Sequence, residues 1–278
     1  MCKKYIKLFT KYIKIHNTTY FKKILEDKQL PDENFHTYPI PMNPDPAYDR
    51  MIEESIPLID EERIKAEKEY GFTYRQGVGE LIYSMVTCRP DIYFLLIELS
   101  QYSTKPALEH FKAVQGLYMY IRATISWGIY YWRETLRMDL PPGIIPSTKD
   151  ENKYTATTRE QLDPTLLRTL VDSDYANDNT HRKSVTGIAI KIAGGTVFYK
   201  TNVQSTVALS STEAELIAAC EAAKVILYIR SILDEIVINR KKATILYEDN
   251  QGAQLMANSG QPTKRIGHMD KKHFVLNN

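Results

Sequence analysis

Asp172, Asp174, Glu215 and Asp249 are the side chains of this 278-residue chain whose types and spacing could do chemistry. Each falls at the end of a segment that reads as a strand, or within a helix beside one, which is where sites form in α/β folds. Acids gathered at one sheet end repel each other unless cations lie between them. Oxygen-only ligands favour Mg²⁺ or Mn²⁺ over zinc. Two hard cations held about 4 Å apart by carboxylates suit in-line attack on a phosphodiester, one activating water and the other stabilising the leaving oxygen. The chemistry expected is nucleic-acid hydrolysis. Each acid also has an ordinary local use: Asp249 or Asn250 can cap a helix starting at Gln251, and Asp172 or Asp174 can serve a turn.

The elements that must position these acids centre on Thr206 to Ala223, TVALSSTEAELIAACEAA. Ser210 followed three residues later by Glu213 is a capping box, each side chain satisfying a backbone N–H at the start of a helix expected over 211 to about 236. Glu215 lies two residues further, roughly 200° around a helix of 3.6 residues per turn, so the two acids face different ways. Only one of them can serve a site. Ala218, Ala219 and Ala222 lie one and two turns beyond Glu215, a small-residue face that lets the helix approach a sheet and aims Glu215 at it. The alternative is a solvated glutamate at the border of an amphipathic helix. Around this helix the sequence predicts strands over 165–173, 185–192 and 196–200, the last two joined by a Gly194-Gly195 hairpin turn. A strand over 243–248 and a short helix from Gln251 follow. Paired strands followed by strand-helix alternation give a mixed sheet with helices on its faces, in a domain beginning near Asp163.

Upstream, residues 1–30 mix lysine with aromatic and aliphatic residues at strand-like, then helix-like spacing. So apolar a start, with no polar leader, suggests a chain that begins inside a domain. From Leu30 to Pro57 six prolines exclude regular helix and mark a connecting segment. Residues 74–99 read as two helices broken at Arg89-Pro90, and Pro106 to Thr124 as a further helix striped through Leu108, Phe111, Val114, Leu117 and Ile121. Residues 126–132 read as a strand, and the Pro- and Gly-rich run from Pro141 as a boundary.

Lys plus Arg is 36 against 34 for Asp plus Glu, so the net charge of +2 gives no global attraction to a polyanion, and any nucleic-acid site must come from local clustering. Cys2, Cys88 and Cys220 are scattered and odd in number, which fits a reducing setting. No apolar run approaches the ~20 residues needed to cross a bilayer, and MCKKYIKLFTKYIK has too many lysines for a signal peptide. The expected location is cytoplasmic or nuclear, with no membrane partner.

VDSDYAND, HRKSVTG, AGGTVFYKTNVQSTVALSSTEAELIAACEAAK and LYEDNQGAQLMAN, in that order and spacing, resemble the ribonuclease H domain of copia-type LTR retrotransposon Pol polyproteins. YRQGVGELIYSMVTCRPDI, KPALEHFKAVQGLYMYIRAT and SWGIYYW are similar to the segment that follows the polymerase palm there, and YPIPM to a motif just before it. The resemblance implies an α/β, RNase H-like mixed sheet with flanking helices over 163–278. It also implies a mainly helical reverse-transcriptase thumb or connection-like region over 1–160. The implied activity is two-metal hydrolysis of the RNA strand of RNA/DNA hybrids, with selectivity resting on the 2′-OH and groove shape. Asp172, Glu215 and Asp249 take the metal-binding positions, with Mg²⁺ or Mn²⁺ as cofactor, two ions if the site is complete. Asp174, two along the same strand, is held in reserve, as is Asp270. Arg182, Lys183, Lys200, Lys264, Arg265, Lys271 and Lys272 are candidate phosphate contacts. The expected partners are hybrid nucleic acid and the remainder of the polyprotein.

The departures from the family shape the expectation equally. The paired-aspartate polymerase signature is absent, so polymerase activity is not expected. The family's HID motif stands as His268-Met269-Asp270. The last strand and the helix with an Ala-Asp-x-Leu-Thr-Lys motif, which brings a fourth carboxylate, do not follow. The domain is therefore expected to be truncated before them, its metal site incomplete and its enzymatic status open. The alternative is a non-catalytic nucleic-acid-binding remnant of a polyprotein.

Overall fold

The computed structural model describes residues 12–26, 28, 30–31, 40–41, 45–132, 166–176, 182–236 and 244–258. The chain divides into two compact units, one of residues 1–6 and 14–129, the other of residues 7–13 and 130–278.

The first unit is built from helices. After β1 (Tyr12–Ile15) come α1 (Thr18–Glu26), α2 (Pro46–Glu53), α3 (Asp60–Tyr70), α4 (Tyr74–Cys88), a 3₁₀ turn (Pro90–Ile92), α5 (Tyr93–Ser100) and α6 (Leu108–Ala123), before β2 (Ile129–Trp132). The apolar stripe of α6 explains its place: Phe111, Val114, Leu117 and Ile121 are fully buried, and the helix packs against each of α1 to α5. β1 and β2, each of which has residues assigned to both units, pair in a two-stranded sheet. The break expected at Arg89-Pro90 is the 3₁₀ turn. Arg89 is buried there, its guanidinium donating to Asp91 and to Thr124 at the end of α6.

Two helices of this unit differ from the sequence reading. The proline-rich stretch contains α2, because Pro46 sits in its first turn, where a fixed φ and a missing N–H cost nothing, and Asp45 caps it by accepting from the Ala47 N–H at 2.9 Å. The helix α3 lies in a stretch to which no element was assigned. Its signals are local ones, Asp60, Glu61 and Glu62 in the first turn and Gly71 in the left-handed conformation at the end.

The second unit holds a four-stranded mixed sheet. β3 (Arg168–Asp174), β4 (Val185–Ile192) and β5 (Gly195–Val203) are followed by α7 (Ser211–Glu235), β6 (Ile245–Tyr247) and α8 (Gln251–Asn258). The sheet order is β5-β4-β3-β6, with β3 antiparallel to β4 and parallel to β6. The β4–β5 hairpin turns one residue earlier than expected: Ala193 (φ 52°) and Gly194 (φ 80°) occupy the two left-handed positions, while Gly195 already pairs with Ile192. Two consecutive left-handed residues match the twist of the flanking strands. Along β3 and β4 burial alternates, so Val171, Ile188 and Ile190 face a core completed by Leu167 and by Ala218, Ala219 and Ala222 of α7. The alanines let the helix lie close on the sheet. Among the described residues no helix is long and apolar enough to cross a membrane.

Candidate metal centre

Three elements deliver one acid each to the same end of the sheet. Asp172 comes from the C-terminal half of β3, Glu215 from the second turn of α7 and Asp249 from the residues that follow β6. A carboxylate oxygen of each lies within 4.8 Å of the other two. Asp172 and Asp249 are exposed, whereas Glu215 is only 6% exposed.

The position of Glu215 follows from how α7 begins. Ser210 accepts from the Glu213 N–H at 3.1 Å, while the Glu213 carboxylate reaches back to the Leu209 N–H at 2.9 Å. The reciprocal bond therefore closes one residue further back than the capping box expected, and Glu213 is held at the helix start. Gln204, buried just beyond β5, ties that turn to the sheet, its side-chain amide donating to Thr186 of β4 at 3.0 Å and to the Ala214 carbonyl at 2.9 Å. With Ala214 fixed, Glu215 is directed inward. Gly252 allows α8 close to the same turn, since a Cβ there would meet Thr212 Oγ1 at 3.1 Å, and Asn250 caps α8 by accepting from the Ala253 N–H at 3.0 Å.

The electrostatics of the cluster are those of crowded, partly dehydrated acids. Burial pushes the Glu215 carboxyl up to about 7, the negative charges of Glu248 and then Asp172 add to the shift, and the Ser173 N–H opposes it. Glu248 is itself raised, by burial first and then by Asp249 and Asp172. Asp174, exposed on β3, is raised by partial burial and by Asp172. Glu215 Oε2 is buried without a hydrogen-bond partner. A buried carboxyl oxygen of this kind is costly unless a proton or a cation meets it, and an all-carboxylate donor set is one that suits a hard divalent ion. Glu248 did not enter the sequence reading. Its neighbour Asp249 drew the inference there, and nothing in the sequence marks Glu248 as a charge acting on Glu215.

The basic candidates are dispersed. Arg182 is exposed, with a left-handed φ of 56°, and Lys183 is half-buried. Lys200 on β5 faces Glu221 of α7 at 3.6 Å. Lys264, Arg265, Asp270, Lys271 and Lys272 lie outside the described residues.

No protein-family model matches the chain. Over 203 residues, 73% of its length, it is 29% identical to the retrovirus-related Pol polyprotein from transposon TNT 1-94 of Nicotiana tabacum, and over 205 residues 26% identical to that from transposon RE1 of Arabidopsis thaliana. It spans 13% and 12% of those two polyproteins. It is also 31% identical over 149 residues, 54% of the chain, to the secreted RxLR effector protein 161 of Plasmopara viticola, of which it covers 85%. The chain is thus a homologue of the retrovirus-related Pol polyproteins of plant transposons and belongs to one family with effector protein 161.

Proposed function

We propose that the second unit is an RNase H-like nuclease module of a retrotransposon-derived protein, acting on the RNA strand of RNA/DNA hybrids. The observation that carries this reading is the convergence of Asp172, Glu215 and Asp249 from three separate elements, with the buried Glu215 presenting an unpartnered oxygen. The mixed sheet with a long helix on one face agrees with it. Two Mg²⁺ or Mn²⁺ ions, when bound, would supply an activated water and charge stabilisation at the leaving oxygen. Asp172 and Asp249, both exposed, would hold the cation on the solvent side where a phosphate can reach it, while Glu215 anchors it from within. Arg182 and Lys183 are proposed phosphate contacts from the turn that enters β4, and Lys200 a further one if it leaves Glu221. The first unit is proposed to correspond to the connection between polymerase and nuclease of the homologous polyproteins, the rest of which would be its partner.

The test is a labelled RNA/DNA hybrid incubated with Mg²⁺ and the full chain beside Asp172→Asn, Glu215→Gln and Asp249→Asn. Each substitution is expected to lower cleavage at least about 100-fold, the loss of several kcal/mol of transition-state stabilisation. Cleavage that survives all three would sink the assignment. Salt-sensitive hybrid binding with no cleavage would identify a non-catalytic binding module instead.

A further inference from the structure

We propose that the outer face of the C-terminal half of α7 is a self-association surface, on which a second copy of this chain docks with its own α7 running antiparallel. At about 100° per residue, the side of α7 that meets the sheet passes through Glu215, Ala222, Ile226 and Leu233, all of them buried. Over the first half of the helix other sides are covered too, Ile217 clustering with Ala208, and Leu216 with Met256 and Ala257 of α8. From Lys224 onward the side opposite the sheet lies open. Lys224, Leu227, Tyr228, Ser231, Ile232 and Glu235 are exposed there, Tyr228 by 67% and Leu227 by 52%. A solvent-facing helix side is ordinarily polar. Here its middle is leucine, tyrosine and isoleucine, with one charge at each end.

The order of these six residues identifies the occupant. In a two-fold pair each residue meets its counterpart twice, and in an antiparallel one the residues that face each other are equally far, in opposite directions, from the axis. An axis opposite the midpoint of Ile229 and Arg230 sets Lys224 against Glu235, Leu227 against Ile232 and Tyr228 against Ser231. Opposite charges then meet at both ends, and apolar side chains meet between them. Ser231 leaves room for the tyrosine ring, its hydroxyl being already donated to the Tyr228 carbonyl of its own helix at 2.8 Å. Among the described residues neither Lys224 nor Glu235 is in an ion pair. A parallel pair would set lysine on lysine and glutamate on glutamate, with the two helix dipoles aligned against each other. The run from Lys224 to Glu235 extends about 18 Å. One helix pair of that length falls short of the roughly 1,600 Å² of a standard interface, so the dimer is a weak one.

The test is sedimentation equilibrium of the full chain over about 10–500 μM, a range suited to a contact below standard size. The average mass of wild type is expected to rise with concentration from monomer towards dimer. Lys224→Glu and Glu235→Lys each place like charges opposite one another twice, and Tyr228→Ala removes the aromatic anchor. Each is expected to weaken dimerisation at least about 10-fold. The double variant Lys224→Glu with Glu235→Lys exchanges the two charges and is expected to restore dimerisation to near the wild-type level. Circular dichroism establishes that each variant is folded. A wild-type chain that stays monomeric throughout, as it would if another stretch of the same chain covers the face, overturns the proposal. So does a dimer that all three single substitutions leave unchanged. A dimer weakened by both charge reversals and not recovered by their combination overturns the antiparallel pairing.

Discussion

His110 shows how the deepest ionisable side chains of the first unit are engaged in fixing helices. Its Nδ1 accepts from the Ala107 N–H at 2.9 Å, which leaves Nε2 to donate to the Ile52 carbonyl, also at 2.9 Å, so the imidazole is held as the neutral tautomer protonated on Nε2. Burial lowers its pKa below the ordinary value, against the pull of Ile52 and Glu109. The folded form therefore binds its proton at lower pH than the unfolded chain, whose histidine titrates near 6.5. As pH falls through that value the unfolded state takes up the proton first, and stability drops. Urea midpoints for the transition of the first unit, followed by Trp127 fluorescence, should fall between pH 7 and pH 5. His110→Gln should flatten that slope, and an unchanged slope would assign the acid sensitivity elsewhere. Lys28 belongs to the same class, its ammonium buried against Glu80 at 2.9 Å and lying over the rings of Phe72 and Tyr118. At this scale the sequence was informative where a residue had a local grammar to obey. Ser210 and Glu213 spell a cap, which assigns Glu213 and frees Glu215 to face inward. Glu248, Gln204 and Lys28 obey no such grammar, since their partners are fixed only by the packing of distant segments.

Helix α7 is the element on which the cluster depends, because it carries both the inward acid and the alanine face that sets its distance from the sheet. Replacing Ser210 by alanine removes the acceptor for the Glu213 N–H and should cost about 1 kcal/mol of stability in the second unit. The expected signature is a lower melting temperature, with hybrid cleavage at saturating Mg²⁺ nearly unchanged, because Gln204 still ties the Ala214 turn to Thr186. A loss of cleavage as large as that of Glu215→Gln would show that the cap itself sets the ligand geometry. The elements most legible in the sequence were those with strong ends. A capped start predicted α7 from 211 to about 236, and the observed helix is Ser211–Glu235. The hairpin was legible but displaced by one residue, because a glycine pair draws attention to itself while Ala193 also accepts the left-handed conformation. Pro46 misled in the other direction: proline excludes helix interiors but begins a helix well, and only the Asp45 cap distinguishes the two.

For the whole molecule, 36 basic against 34 acidic residues leave a net charge of +2, so long-range attraction to a polyanion is weak. On the proposed reading, affinity for a hybrid would come from a few phosphate contacts placed beside the acidic cluster, whose own charge would repel the backbone until cations neutralise it. Two consequences are measurable in one assay. Hybrid affinity should rise when Mg²⁺ is added, opposite to the screening expected for a protein that binds by basic residues alone. At fixed Mg²⁺, the logarithm of the association constant should fall with the logarithm of salt concentration on a shallow line, since each neutralised phosphate contributes only about 0.9 to the slope on duplex DNA. Arg182→Gln and Lys183→Gln should each reduce that slope by roughly one contact, without altering the Mn²⁺ stoichiometry. If neither changes the slope, the phosphate contacts lie on another surface. If both change it and Asp172→Asn restores binding in the absence of Mg²⁺, then the acids and the two basic residues meet the same stretch of backbone.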